Sequence, residues 1–234
     1  MKYLPVRKIL LPLVGLLLAI ALTCGLAEIA LRLVISSETW LGKKIRNPKL
    51  YADWYSSDNF WKLYYEWDGK YRPPDNPHPL LGWIGPFSPT SYIHHRSKRL
   101  KGRRPVLLFG DSYAQCVPGE QCFQDILNSH ETFSERFFLL NYGVGGYGTD
   151  QIYLLMTKAI EQYENPIVLF SFMTYDLDRS LLSVRTGQKP HFSVHEDSLQ
   201  LSSVPIDPDP AHFFATHPAQ VSSYFCNYSE GITI

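Results

Sequence analysis

The residues able to do chemistry gather at the ends of apolar runs. Val106-Leu107-Leu108-Phe109 leads straight into Gly110-Asp111-Ser112. A serine two residues past a buried strand presents its hydroxyl to solvent, and its own backbone N–H is free to face a developing oxyanion. Acyl transfer through a serine nucleophile is the chemistry this placement suits. The next apolar run, Phe137 to Val144, carries Asn141 and opens a block with glycines at 143, 145, 146 and 148. Glycine there lets a substrate approach the backbone and lets an N–H point outward. The third run, Pro166 to Phe172, ends in Met173-Thr174-Tyr175-Asp176-Leu177-Asp178-Arg179. A serine hydroxyl is a weak nucleophile without a base in hydrogen-bond reach, so the histidines also matter.

These groups need a scaffold that brings the three run ends to one rim. Each run is short, apolar and bounded by Gly or Pro, the pattern of a buried strand. Between the second and third, residues 149–163 place Ile152, Leu155, Met156, Ala159 and Ile160 on one face, with Thr149-Asp150 as a cap. That predicts an amphipathic helix. Phe123 to Phe133 is more weakly helical. Strands alternating with helices imply a parallel sheet with right-handed crossovers, whose functional groups collect at the carboxyl ends of the strands. Residues 189–206 alternate apolar and polar around Glu196-Asp197-Ser198 and predict a β-hairpin. Beyond Asp207 little is periodic, and the proline-flanked stretch 206–214 reads as an extended connector.

The chain has 234 residues, 45% hydrophobic and 14% aromatic, enough for one globular domain and an accessory segment. With 22 basic and 22 acidic side chains it has no net charge, which argues against nucleic acid as a partner. Ile9 to Ala27 is a 19-residue run without a charge, preceded by Lys2, Arg7 and Lys8. At about 1.5 Å per residue it matches the roughly 30 Å core of a bilayer. Cations on the near side predict a cytoplasmic N-terminus and an exported domain, in the periplasm or outside the cell. A cleaved signal is the alternative, disfavoured by the length of the run and the lack of a clean A-x-A site. The divisions expected are a basic tail at 1–8, an anchor at 9–27, a connecting region rich in aromatics and proline at 28–104, and an α/β domain at 105–234. Within the connecting region the dense Trp and Tyr of 41–71 are read chiefly as wrapping the domain, and the basic run from His94 to Arg104 as a solvated approach to the first strand. In an oxidising compartment a Cys116–Cys122 bridge and free thiols are both open. No zinc-type spacing occurs, so neither metal nor cofactor is expected.

Gly110-Asp111-Ser112 after one strand, Asn141-x-Gly-x-Gly-Gly146 after the next and Asp176 after the third together resemble the SGNH (GDSL-type) hydrolases. The membrane helix running into Ala27 to Leu33, residues 74–83 and residues 141–151 are similar to the family's membrane-anchored bacterial branch. The resemblance implies a flavodoxin-like three-layer α/β/α sandwich, incomplete here with three of five strands visible. It implies Ser112 as nucleophile and the Gly146 N–H as oxyanion donor, acting on a small acyl ester or an acylated glycan. Two departures stand out. Tyr175 occupies the place of an asparagine that donates to the oxyanion. The family's terminal D-x-x-H is matched only by Asp209-Pro210-Ala211-His212, so either His212 is the base or the true histidine lies in a missing C-terminal segment, with a protein partner completing the sheet. A catalytically inactive remnant or glycan-binding envelope scaffold is the alternative function. A phosphate loop at Gly143 to Gly148 is weaker, because it lacks the Lys-Ser/Thr of a P-loop and the dinucleotide glycine spacing.

Overall fold

The computed structural model describes residues 6–53, 56–69, 71, 74–85, 100–117 and 119–231. Most of the basic run, from His94 to Arg99, lies outside the described residues. The chain is a mixed α/β protein with a long apolar helix, α1 (Val6–Ser36), at its N-terminus. After it come α2 (Trp40–Ile45), α3 (Asp58–Asp68) and a two-residue hairpin of β1 (Pro77–His78) and β2 (Gly82–Trp83). The domain proper starts with β3 (Arg104–Gly110), followed by α4 (Phe123–Ser129), α5 (Glu131–Ser134) and β4 (Phe137–Gly143). Then follow α6 (Thr149–Ile160), β5 (Ile167–Phe170) and α7 (Thr174–Arg179). The chain continues through β6 (His191–His195), β7 (Ser198–Ser202), α8 (Pro210–Thr216) and α9 (Tyr224–Gly231).

The three apolar runs form one parallel sheet in the order β4-β3-β5. Val106 of β3 stands beside Leu139 on one side and Ile167 on the other, and Gly110 beside Gly143, so all three strands end at the same rim. Leu107, Phe109, Leu140 and Tyr142 are buried against Ile152, Leu155 and Ala159 of α6, the face the periodicity predicts.

The two outer edges differ. Along β4, amide side chains of α4 replace a neighbouring strand: Gln124 accepts from Asn141 N at 2.8 Å, and Asn128 both accepts from Leu139 N (2.7 Å) and donates to Leu139 O (2.8 Å). Along β5 no such cover exists among the described residues, and Val168, Leu169 and Phe170 are exposed. An open apolar edge of this kind is a template for a further strand.

The helix α1 continues past Ala27, where the sequence had placed the end of the apolar segment, to Ser36. Glu28 and Arg32 pair one turn apart at 2.6 Å, and Glu28 also accepts from Tyr224 N (3.2 Å), Phe225 N (2.8 Å) and Ser223 Oγ (2.9 Å). One carboxylate thus caps α9 and ties the chain's last helix to its first. A second apolar core forms there from Ile35, Ile45, Tyr51 and Leu63 with Trp67 and Tyr224 against it.

In the aromatic segment Tyr51 and Phe60 are buried and Tyr64 is exposed, and Trp54 and Tyr55 lie outside the described residues. Ser57 caps α3 by accepting from Asn59 N, and Gly69, left-handed at φ 62°, ends it. Asp58 accepts from Ser183 N (2.7 Å), Val184 N (3.3 Å) and the Ser183 hydroxyl, which fastens α3 to the loop after α7. The region after Asp207 corrects the expected extended connector: Asp209 accepts from Ala211 N at 2.9 Å and Pro210 takes the first helical position, so α8 forms with Phe213 buried.

A fully buried ion pair fixes the crossover. Lys189 Nζ donates to Asp150 Oδ2 (2.5 Å), Leu182 O (3.0 Å) and Pro190 O (2.8 Å), using all three protons. Burial pushes Asp150 up and Lys189 down, and each charge restrains the other. Removing one partner leaves the other charge buried and unpaired. Lys189→Met is therefore expected to cost about 3–5 kcal/mol in urea unfolding, and Lys189→Met with Asp150→Asn to recover part of that loss.

Candidate functional site

Ser112 opens the turn after β3. Asp111 is buried and builds that turn: Oδ1 accepts from Tyr113 N at 2.9 Å, and its carbonyl accepts from Ala114 N (3.2 Å) and Gln115 N (3.1 Å). Ser112 beside it is exposed. Among the described residues its hydroxyl and its N–H make no hydrogen bond. The turn folds back tightly over the sheet, and a Cβ on Gly143 would stand 2.5 Å from Ala114 C, so this neighbour must be glycine. Asn141 locks the two together, donating to Ala114 O (2.6 Å) and accepting from Gly143 N (2.8 Å).

The glycine block runs beside Ser112. The position a Gly145 Cβ would take is 3.8 Å from Ser112 Cβ. Gly145 N donates to Gln115 Oε1 at 2.6 Å, and Gly145 O accepts from Trp83 Nε1 at 3.1 Å. In a trans peptide the N–H points opposite the C=O, so the Trp83 anchor sets the direction of the Gly146 N–H. That N–H is unused among the described residues. Gly146 is left-handed, φ 82°, a conformation that favours glycine over any L side chain. A cleft of about 650 Å³ adjoins these groups, lined by Asp75, Asn76, Trp83, Gln115, Gly145 and Thr186 among others.

The third strand end supplies no direct donor of the expected kind. Tyr175 stands on the first turn of α7 with 46% of its surface exposed. Asp176 is buried and structural: Oδ2 accepts from Met173 N (2.9 Å) and Oδ1 from Arg179 Nη1 (2.5 Å). The same Arg179 nitrogen lies 3.5 Å from Asp111 Oδ2 and 3.4 Å from Tyr147 O. Desolvation raises Asp176 above the usual carboxylate range and the nearby Asp111 charge adds to this, against the Met173 N–H and Arg179. Asp111 Oδ2 and Arg179 Nε, both buried, have no hydrogen-bond partner among the described residues.

His212 is paired with a carboxylate, but not with Asp209. Asp209 is spent on capping α8, and His212 Nδ1 meets Asp207 Oδ2 at 2.5 Å on the surface. The hydrogen bond with Asp207 raises His212 above its ordinary 6.5 and lowers Asp207 below its ordinary 3.8. Among the other histidines, His78 Nδ1 accepts from Leu80 N and Leu81 N, and burial lowers it. His191 is half-buried and meets the Ser203 hydroxyl. No described histidine hydrogen-bonds Ser112. His94 and His95 lie outside the described residues.

Cys116 and Cys122 form a disulfide that closes the loop following the Ser112 turn, with 5.4 Å between their α-carbons. Sequence reasoning missed Gln115, Trp83 and Arg179 as parts of the site. The one local signal was Arg179, three residues from Asp176 and so on the same helical face. Among the described residues no group of three or more His, Cys, Asp or Glu is placed to hold a metal ion. Comparison of the chain with protein-family models, with curated proteins and with solved structures finds no match.

Arg179→Met leaves Asp111 and Asp176 facing each other without their cation. Thermal melts are expected to show a loss equivalent to about 3–5 kcal/mol. The Asp176 carboxyl, raised in the folded state, binds its proton more tightly there than in the unfolded chain, so the deficit should narrow as pH falls toward its raised value. For His212, NMR titration of the imidazole is expected to give a midpoint above 6.5, which Asp207→Asn returns toward 6.5. The sign follows from the raised value: any stabilisation from this exposed pair is complete below 6.5 and is lost as pH rises through the folded midpoint.

Proposed function

We propose that this chain is a serine ester hydrolase or O-acyltransferase of the SGNH type, acting on acyl groups of cell-envelope glycans or lipids. The observation that carries the proposal is the conjunction at Ser112: an exposed, unengaged hydroxyl with its own N–H and that of left-handed Gly146 both unused beside it. In this reading the Ser112 oxygen attacks the ester carbonyl carbon while a base takes its proton. The carbonyl oxygen becomes an oxyanion held by the Ser112 and Gly146 N–H groups. The alcohol leaves with a proton, and water or a sugar hydroxyl then takes the acyl group from Ser112. The His212–Asp207 pair is the one histidine–carboxylate ion pair among the described residues and is the base candidate they offer.

The reading extends to architecture and place. The three-stranded parallel sheet belongs to a flavodoxin-like three-layer sandwich, and the open β5 edge is where a partner strand would pair. From Leu10 to Ser36, α1 is long and apolar enough to cross a membrane, and cations at Lys2, Arg7 and Lys8 support a single-pass anchor with the domain outside the cytoplasm. The Cys116–Cys122 bridge fits such an oxidising compartment.

A second reading, a scaffold that binds glycans without cleaving them, is favoured by the lack of a histidine on Ser112 among the described residues. A fluorophosphonate probe and p-nitrophenyl acetate separate the two. The enzyme reading expects labelling and turnover that both vanish in Ser112→Ala, with turnover that depends on His212 rising with pH through the His212 midpoint. Absence of Ser112-dependent labelling, with glycan binding that survives Ser112→Ala, would establish the scaffold instead.

A further inference from the structure

The Ser112 turn carries a third donor that the proposed mechanism has not used. Gln115 N accepts its place in the turn by donating to Asp111 O, and the side chain reaches across to the glycine block. Its Oε1 lies 2.6 Å from Gly145 N. A backbone N–H can only donate, so the oxygen of the carboxamide must face it, and the NH₂ group must point elsewhere. Among the described residues that NH₂ meets no acceptor. Gln115 lines the same cleft as Gly145 and Val144, and the position a Gly145 Cβ would take is 2.7 Å from Gln115 Oε1 and 3.8 Å from Ser112 Cβ. The carboxamide is therefore held next to the serine by one end, with its donor end unengaged. By contrast Tyr175, at the place where the family resemblance expects a donating asparagine, sits exposed on α7.

We infer that Gln115 is a catalytic residue whose Nε2 donates to the oxyanion, alongside the Ser112 and Gly146 N–H groups. This rests on the serine-hydrolase reading of Ser112. The anchored oxygen makes the donor preorganised: fixing Oε1 on Gly145 N–H leaves the carboxamide little freedom, so its Nε2 is in place before charge develops. The same bond holds Gly145, and through it the Gly146 N–H, so one side chain both donates and positions.

Those two roles separate by substitution in the full chain, reconstituted in detergent or bilayer. Gln115→Glu keeps an oxygen for Gly145 N–H and removes the NH₂; Gln115→Ala removes both. The inference expects Gln115→Glu to lower kcat for p-nitrophenyl acetate by about 10²-fold, with KM and thermal midpoint little changed. It also expects the preference for the oxygen ester over its thiono analogue, whose sulfur accepts hydrogen bonds poorly, to shrink in that variant. Gln115→Ala should lose at least as much. If Gln115→Glu keeps wild-type kcat and oxygen-over-thiono preference while Gln115→Ala does not, Gln115 only positions the glycine block and the inference is overturned. If wild-type protein shows no Ser112-dependent fluorophosphonate labelling, the serine-hydrolase reading itself fails, and the Gln115 assignment with it.

Discussion

A single guanidinium reaches all three ends of the sheet. Arg179 bonds Asp176 after β5, lies 3.5 Å from Asp111 after β3, and donates to the carbonyl of Tyr147 after β4. Two carboxylates buried this close repel, and desolvation disfavours both charges. Only a cation between them makes the arrangement tenable, and arginine suits it because its planar fork presents several donors at fixed angles. The turn that holds Ser112, the turn that holds Gly146 and the helix α7 are thereby fixed relative to one another. Without that link the three strand ends would share a rim but not a geometry.

Around this centre, close approach is bought with residues that have no side chain or that lend one to the backbone. Gly143 lies under the Ser112 turn, and Asn141 ties that turn to β4 by donating to Ala114 O and accepting from Gly143 N. Trp83, from the short β1–β2 hairpin, anchors the Gly145 carbonyl, while Tyr147 returns a hydrogen bond to Trp83 O and Gln151 donates to Leu81 O. The proline-rich approach is thus a wall of the site rather than a spacer. Its position explains why the cleft opens between that hairpin and the glycine block.

What could be read in the sequence was what local pattern controls. The three strands fall within two residues of the apolar runs because Gly and Pro bound them, and the hairpin turns at Glu196-Asp197, both left-handed at φ 47° and 60°, as a tight two-residue turn requires. The buried face of α6 follows its 3.6-residue period. Long-range polar pairings were not legible. Lys189 opens the stretch that alternation assigns to a hairpin, yet Asp150, 39 residues earlier, holds it in the core. The pairing of Asp209 with His212 suggested by spacing failed because a carboxylate two residues ahead of a free helical N–H is captured as a cap. Asp207 spends only Oδ1 in this way, accepting from Asp209 N at 2.8 Å, and its Oδ2 meets the histidine. The short helices α8 and α9 carry too few turns to show a period, and α9 owes its start to a carboxylate from the far end of the chain.

The site's charges argue for the kind of work it is built to do. Both carboxylates on the rim are already committed, Asp111 to Tyr113 N–H and Arg179, Asp176 to Met173 N–H and Arg179, so neither is free to act as a base. Asp111 Oδ2 is buried and meets only the Arg179 charge at 3.5 Å, and what else remains unengaged beside Ser112 among the described residues is a set of donors. A pocket of preorganised donors beside a nucleophile stabilises negative charge on a carbonyl oxygen whether or not a base is in contact, and such a hole with substrate binding alone retains roughly 10³–10⁴-fold catalysis over water when a triad member is lost. Under the proposed function, oxyanion stabilisation and activation of the serine are therefore separable. The donors proposed for the first are set on the sheet's rim by local turns and one buried arginine, whereas the second needs a histidine that no strand end supplies among the described residues.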